Sequence, residues 1–235
     1  SLGAAEVRYV VQKNETLSGI ARKFGISVAE LMKFNRLTPG HTLQTGKVLR
    51  IPDRKPAGKD SSLAPELRKE LERVTVTRKK WQYIVIHHSA TESGSAKGMD
   101  RYHRETMHME NGLAYHFVIG NGRGMGDGEI TIGKRWLNQL PGGHLASEAL
   151  NQKSIGICLV GDFEEERPTP KQLESLRHLM NYLMARCQLS VKAVRTHQQI
   201  HARHTQCPGR NFPAKTFLKG LKPTLATLPL KPGDG

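Results

Sequence analysis

Two stretches of this 235-residue chain concentrate side chains that can hold a metal ion or move a proton. Near residue 87 an apolar run, Ile84-Val85-Ile86, ends in His87-His88, and a strand end that opens into a cleft can present a ligand rigidly. Successive side chains on a strand point to opposite faces, so one histidine of this pair can face a given site and the other is expected to be structural. Far downstream, the segment from Thr196 to Gly209 packs His197, His201, His204 and Cys207 into a short, loop-like stretch. Zinc favours nitrogen and sulfur donors of this kind, and catalytic zinc keeps three protein ligands with one position open for water. A distant histidine, a local histidine and Cys207 would make such a set. A solvated basic loop with a buried thiol is the alternative that the residues leave open.

The elements that must position these groups follow from periodicity. Residues 8–52 read as a compact unit in which a strand at Tyr9-Val10-Val11 and another at Val48-Leu49-Arg50-Ile51 bracket two helices. Thr16 caps the first helix ahead of Leu17, Ile20, Ala21 and Phe24, which share one face, and Gly25 stops it. Ser27 caps the second, whose apolar face is Val28, Leu31, Met32 and Phe34. Residues 53–64 have the Pro, Gly, Ser and charge content of a linker, and Pro65 to Arg73 reads as a short charged helix. Beyond it, strands are expected at Thr75–Thr77, Trp81–His87, His116–Ile119, Glu129–Ile132 and Ser154–Val160, with helices at Met99–His108 and Pro170–Cys187. The last helix is the clearest: Thr169 caps it, and Leu173, Leu176, Leu179, Met180 and Leu183 recur at helical spacing. The unbroken apolar strand Ile155–Val160 is expected to be central and buried on both faces.

Composition narrows the class. A mean hydropathy of −0.50 and no apolar run near the roughly 20 residues of a spanning helix exclude a transmembrane segment. Three cysteines, Cys158, Cys187 and Cys207, are too few and too scattered for a disulfide framework. The net charge of +15 attracts polyanions, but it is spread along the chain without a basic stripe interleaved with aromatics, which argues against nucleic acid as the partner. The chain opens at Ser1 without a basic-then-apolar leader, so it is expected either to have lost a leader or to have been trimmed, and the compartment is inferred from the substrate.

Residues 8–53 resemble a LysM module. The likeness runs through Val11, Asn14-Glu15-Thr16-Leu17, Ile20-Ala21, Phe24-Gly25-Ile26-Ser27-Val28, Leu31, Phe34-Asn35, Leu37, Leu43, Gly46, Leu49 and Ile51-Pro52. The resemblance implies a βααβ fold that binds N-acetylglucosamine-containing glycans in a shallow groove between two loops. Carried onto this sequence, that groove is lined by Asn14, Thr16, Leu17, Leu37 and Thr38, with Pro39 at its rim.

A second resemblance covers about residues 81–215. Trp81 and Tyr83–Thr91, Leu113–Ile119, Pro141-Gly142-Gly143-His144, Asn151 with Ser154–Gly161, and Thr196-His197 with Cys207-Pro208-Gly209 follow one another in the order of the N-acetylmuramoyl-L-alanine amidases. That family includes phage amidase-type lysozymes and peptidoglycan recognition proteins. The resemblance implies Zn2+ held by His87, His197 and Cys207, with His201 and His204 left to solvent or to outer contacts. It implies an oxyanion-stabilising Tyr115, a substrate contact at His144, and Thr205 where the phage enzymes carry a lysine, so the proton-shuttling group stays open. His116 and Cys158 are expected in the core.

The fold expected overall is α+β: the small βααβ module, then a mixed, mainly β sheet flanked by helices. The domains are set at 8–53 for the glycan-binding module, 54–74 for linker and short helix, 75–221 for the catalytic domain and 222–235 for a loose tail. The function implied is peptidoglycan hydrolysis at the bond between N-acetylmuramic acid and L-alanine by a monomeric autolysin or endolysin, in the periplasm, at the cell wall or outside the cell. The alternative is a non-catalytic peptidoglycan-binding protein.

Overall fold

The computed structural model describes residues 6–24, 28–38, 43–52, 63–200 and 205–221. The chain divides into two compact units, Ser1–Ser62 and Leu63–Gly235. The expected helix stop at Gly25, the cap at Ser27, the Pro39 rim, His201, His204, residues 53–62 and the tail from 222 lie outside the described residues.

In the first unit β1 (Glu6–Val10) pairs antiparallel with β2 (Val48–Pro52), and α1 (Leu17–Lys23) and α2 (Val28–Phe34) lie between them in sequence. Ile20, Ala21 and Leu31 from the helices meet Leu49 and Ile51 from β2 in one buried cluster, as the helical and strand periods require. Asn35 ties the layers together. Its amide nitrogen donates to Leu31 O at 2.8 Å and Arg50 O at 2.7 Å, while its oxygen accepts from Arg50 N at 2.7 Å.

The second unit opens with α3 (Pro65–Glu72), the short charged helix expected after the linker. Leu71 is fully buried, and with Leu63 and Val74 it joins the large core of this unit. Thr75–Thr77, expected as a strand, is coil that turns Val76 into the same core. The sheet runs β5-β4-β6-β3-β7, where β3 is Tyr83–His88, β4 Phe117–Ile119, β5 Ile130–Ile132, β6 Ser154–Leu159 and β7 Val194–Thr196. β4, β6, β3 and β7 are parallel, and β5 is antiparallel at the edge. Parallel neighbours need crossovers, and α4 (Ala96–Glu105), α5 (Lys134–Leu137), α6 (Glu148–Asn151) and α7 (Pro170–Cys187) lie in them. α4 starts earlier than the sequence period suggests because Ser95 caps it, accepting from Gly98 N at 3.1 Å.

Strand alternation sorts the sheet into two faces. Ile84, Ile86, Phe117, Ile119, Ile155, Ile157 and Leu159 share the main core with Leu176, Leu179 and Leu183 of α7. α7 is fixed by a reciprocal capping box between Thr169 and Gln172, and the buried Gln172 amide also donates to Ile119 O and Val160 O at the ends of β4 and β6. The opposite face presents His87 of β3 beside Cys158 of β6, in register.

Candidate metal centre

β3 and β7 bring the distant histidines together. Thr196 ends β7 opposite Ile86, and the next residue, His197, opens α8 (His197–Ile200). Thr196 and Gln199 exchange bonds across this turn: Thr196 N donates to Gln199 Oε1 at 2.9 Å, and Gln199 N to Thr196 Oγ1 at 3.3 Å. The His197 ring lies 4.5 Å from the His87 ring, centroid to centroid. The loop carrying Cys207 is drawn back to α8 by Gln198 N donating to Cys207 O at 2.9 Å.

The result is a convergence of one ligand atom each from His87, His197 and Cys207, all within 4.8 Å of one another. His87 Nδ1 is 3.6 Å from Cys207 Sγ. A nitrogen at about 2.1 Å and a sulfur at about 2.3 Å from one tetrahedral zinc ion would be about 3.6 Å apart. Two imidazoles and a thiol are also the donor chemistry that zinc selects, so the residues fit a resident cation of that kind. His87 is 1% exposed, and burial, aided by His144 and His197, holds its imidazole well below the ordinary range. Burial pushes the Cys207 thiol up to about 12, against a hydrogen bond from the His88 backbone that favours the thiolate. Both groups are therefore neutral at pH 7, and a cation binding there would release the thiol proton.

Strand alternation turns His88 the other way. Its Nδ1 accepts from Phe163 N at 3.1 Å, and its ring lies beside the buried Phe163. The choice that the sequence left open between the two histidines thus falls to His87.

Tyr115 stands over the same face, its ring 5.3 Å from that of His87. Burial, reinforced by the Cys158 and Cys207 thiols, raises its phenol well above the usual range, so the hydroxyl keeps its proton and can donate. Thr205 accepts from Cys207 N at 3.2 Å and so stands next to the same cluster. His103 of α4, which the sequence reading passed over, packs on Tyr115 with ring centroids 5.9 Å apart and accepts from Ala114 N at 3.3 Å. Nothing in the spacing of α4 marked it; only the packing of α4 against the Tyr115 loop does.

His144, expected to contact the substrate, is an interior residue. It is 7% exposed and lies behind His87, with its Nδ1 2.9 Å from His87 Nε2, so its ring is spent on protein contacts. Burial brings its imidazole down to about 3. His116 is also interior: its Nδ1 accepts from Gly156 N at 3.0 Å and its Nε2 faces Leu140 O at 3.1 Å. Buried Arg135 joins the Tyr115 and His144 loops, donating to Leu113 O at 2.6 Å and to Pro141 O.

In the first unit, Thr16 caps α1 by accepting from Gly19 N at 3.1 Å, while Leu17 and Leu37 are partly buried against the core of that unit. Asn14 is exposed at a left-handed φ of 66°, and Thr38 is exposed. Of the five residues expected to line a glycan groove, Asn14, Thr16 and Thr38 are thus exposed, and Leu17 and Leu37 are half-buried against the core of the unit.

Residues 77–210 match the family model described as N-acetylmuramoyl-L-alanine amidase, and residues 9–52 match the LysM domain. Among solved structures, the N-acetylmuramoyl-L-alanine amidase LysC from Clostridium intestinale URNW is 29% identical, with a TM-score of 0.51 over 61% of this chain and 91% of that one. Peptidoglycan-recognition protein 2 of Holotrichia diomphalia is 31% identical over 43% of this chain and 54% of its own length. Peptidoglycan-recognition protein SC2 of Drosophila melanogaster is 30% identical over 55% of this chain and 69% of its own length. The chain thus spans about half the length of the first of these relatives and just over two thirds of the second.

Proposed function

Because the chain belongs to the N-acetylmuramoyl-L-alanine amidase family, with a LysM domain ahead of the matching region, we propose that it is a zinc-dependent peptidoglycan hydrolase. Its bond is the lactyl amide between N-acetylmuramic acid and L-alanine of the stem peptide. The observation that carries this reading is the meeting of His87, His197 and Cys207 within 4.8 Å, in a donor set suited to zinc. The set supports hydrolysis over recognition alone because it supplies the three protein ligands that a catalytic zinc needs.

Zinc bound there would lower the pKa of water to about 7 and polarise the amide carbonyl. The chain's own residues supply the rest. The protonated Tyr115 hydroxyl donates to the oxygen on which negative charge develops. Thr205, held beside Cys207, offers a second hydroxyl at the same edge. His103 packs against Tyr115 and limits its ring positions. Asn14, Thr16, Leu17, Leu37 and Thr38 of the LysM domain hold the glycan strand and keep the enzyme at the wall, in the periplasm or outside the cell. No helix among the described residues is long and apolar enough to cross a membrane.

The test is zinc content together with new amine termini released from purified peptidoglycan, for the wild type, Cys207→Ala and His197→Ala. Stoichiometric zinc and free L-alanine amines in the wild type, both reduced to background in each variant, are expected. A zinc-free wild type that binds sacculi without releasing amines would make this a recognition protein instead.

A further inference from the structure

His144 has a bond at each ring nitrogen, and the two are not equivalent. Its Nε2 lies 3.3 Å from the carbonyl oxygen of Ser154, a group that can only accept. The Nε2 therefore carries the ring proton of the neutral imidazole, and Nδ1 is left with a lone pair. That lone pair faces His87 Nε2 at 2.9 Å, so His87 carries its own proton on Nε2. His87 then has a lone pair on Nδ1, the atom 3.6 Å from Cys207 Sγ. A backbone carbonyl thus sets, through two rings in series, which nitrogen of His87 is free to bind a cation.

The surroundings of His144 are built to hold this geometry. A Cβ on Gly156 of β6, or on Gly142, would overlap the His144 ring, so two glycines form the slot it occupies. Asn151 fixes the backbone of the same loop, accepting from His144 N at 3.2 Å and Leu145 N at 3.0 Å and donating to Leu145 O at 2.8 Å. Gly142 N is in turn bound to Asn151 O at 3.0 Å. Outer partners of this sort orient a metal-binding imidazole and tune its basicity.

We infer that His144 is a positioning residue: seated between Gly142 and Gly156 and anchored on Ser154 O, it locks His87 in the Nε2-protonated tautomer that presents Nδ1 to the cation. The inference rests on the reading of His87, His197 and Cys207 as a cation site. It replaces a substrate contact with an action on the ligand itself, and the two roles separate experimentally.

The tautomer is read first, on metal-free wild-type protein, from long-range proton–nitrogen NMR correlations of the His87 ring. A proton on Nε2 is expected; a proton on Nδ1 would overturn the inference without any variant. Zinc affinity is then measured by competition with a chromophoric chelator for the wild type, His144→Phe and His144→Gln, each checked for folding by circular dichroism. His144→Phe, which offers no acceptor, is expected to bind zinc about 10- to 100-fold more weakly. His144→Gln, whose side-chain oxygen can accept from His87, should recover part of that loss. Unchanged zinc affinity in folded His144→Phe, with only a raised KM on peptidoglycan, would restore the substrate-contact role and refute the inference. A wild type with no zinc affinity would instead remove the cation reading and this role with it, whereas a zinc-binding wild type protonated on Nδ1 removes this role alone.

Discussion

At His116 the protein requires a neutral imidazole, because one ring nitrogen accepts from Gly156 N and the other faces the Leu140 carbonyl. Burial, with His144 next in effect, keeps its pKa well below that of a free histidine. The unfolded chain takes up a proton on this residue below a pH of about 6.5, while the folded chain does not. The stability it contributes is therefore complete above that pH and declines as pH falls, by a limiting slope of about 1.4 kcal/mol per pH unit for one proton. Urea unfolding of the metal-free protein between pH 7 and 5 should show falling stability, and His116→Gln should flatten the dependence by up to that slope. An unaltered slope in the variant would mean that His116 is not the residue responsible. The same alternation of a strand that buries His116's neighbours also decides between His87 and His88. Their adjacency was legible in the sequence, but their assignment was not until β3 had a core face and a site face.

At the scale of elements, α3 is the clearest case of a segment whose role depends on what it packs against. Its sequence, Pro-Glu-Leu-Arg-Lys-Glu-Leu-Glu, is mostly charged and reads as a short helix grouped with the linker, ahead of the catalytic domain. Leu71 nevertheless reaches zero exposure in the core of the second unit, ahead of the residues that match the amidase family model. Leu71→Ala should cost about 2–5 kcal/mol in the chemical unfolding of that unit. A loss under about 0.5 kcal/mol would return α3 to the linker. α5 and α6 were invisible in the sequence for a related reason: four residues span barely one turn, too few for a 3.6-residue period to register. α7, with five turns and a capping box, was plain.

For the whole molecule, two units on one chain would make the proposed wall attachment and hydrolysis separable. If the first unit holds the glycan, binding by the second becomes effectively intramolecular, and linkage of this kind raises avidity by about 10²–10⁴ when both units can engage together. Residues 63–235 alone should therefore sediment less with sacculi than the full chain while hydrolysing a soluble muramyl-peptide at the same rate. Equal sedimentation of the two would show that the LysM domain adds nothing to wall binding. The net charge of +15 adds a second, screened contribution, so retention of the full chain should weaken as salt is raised.

Residue types and their order were enough to mark the candidate donors and the two matching regions of the chain. Two histidine-bearing segments and Cys207 carry the donors, the period of α7 and the apolar run of β6 announce the sheet-and-helix domain, and the alternation and caps of residues 8–52 announce the βααβ unit. These are local properties, written in composition and spacing. Long-range register decided the rest. The parallel pairing of β3 with β7 sets His197 against His87, and its pairing with β6 lays Gly156 open under the His144 ring. That close approach is the observation on which the positioning role proposed for His144 rests. No spacing along the chain encodes it, because the atoms involved meet across strands and loops up to more than 50 residues apart in sequence.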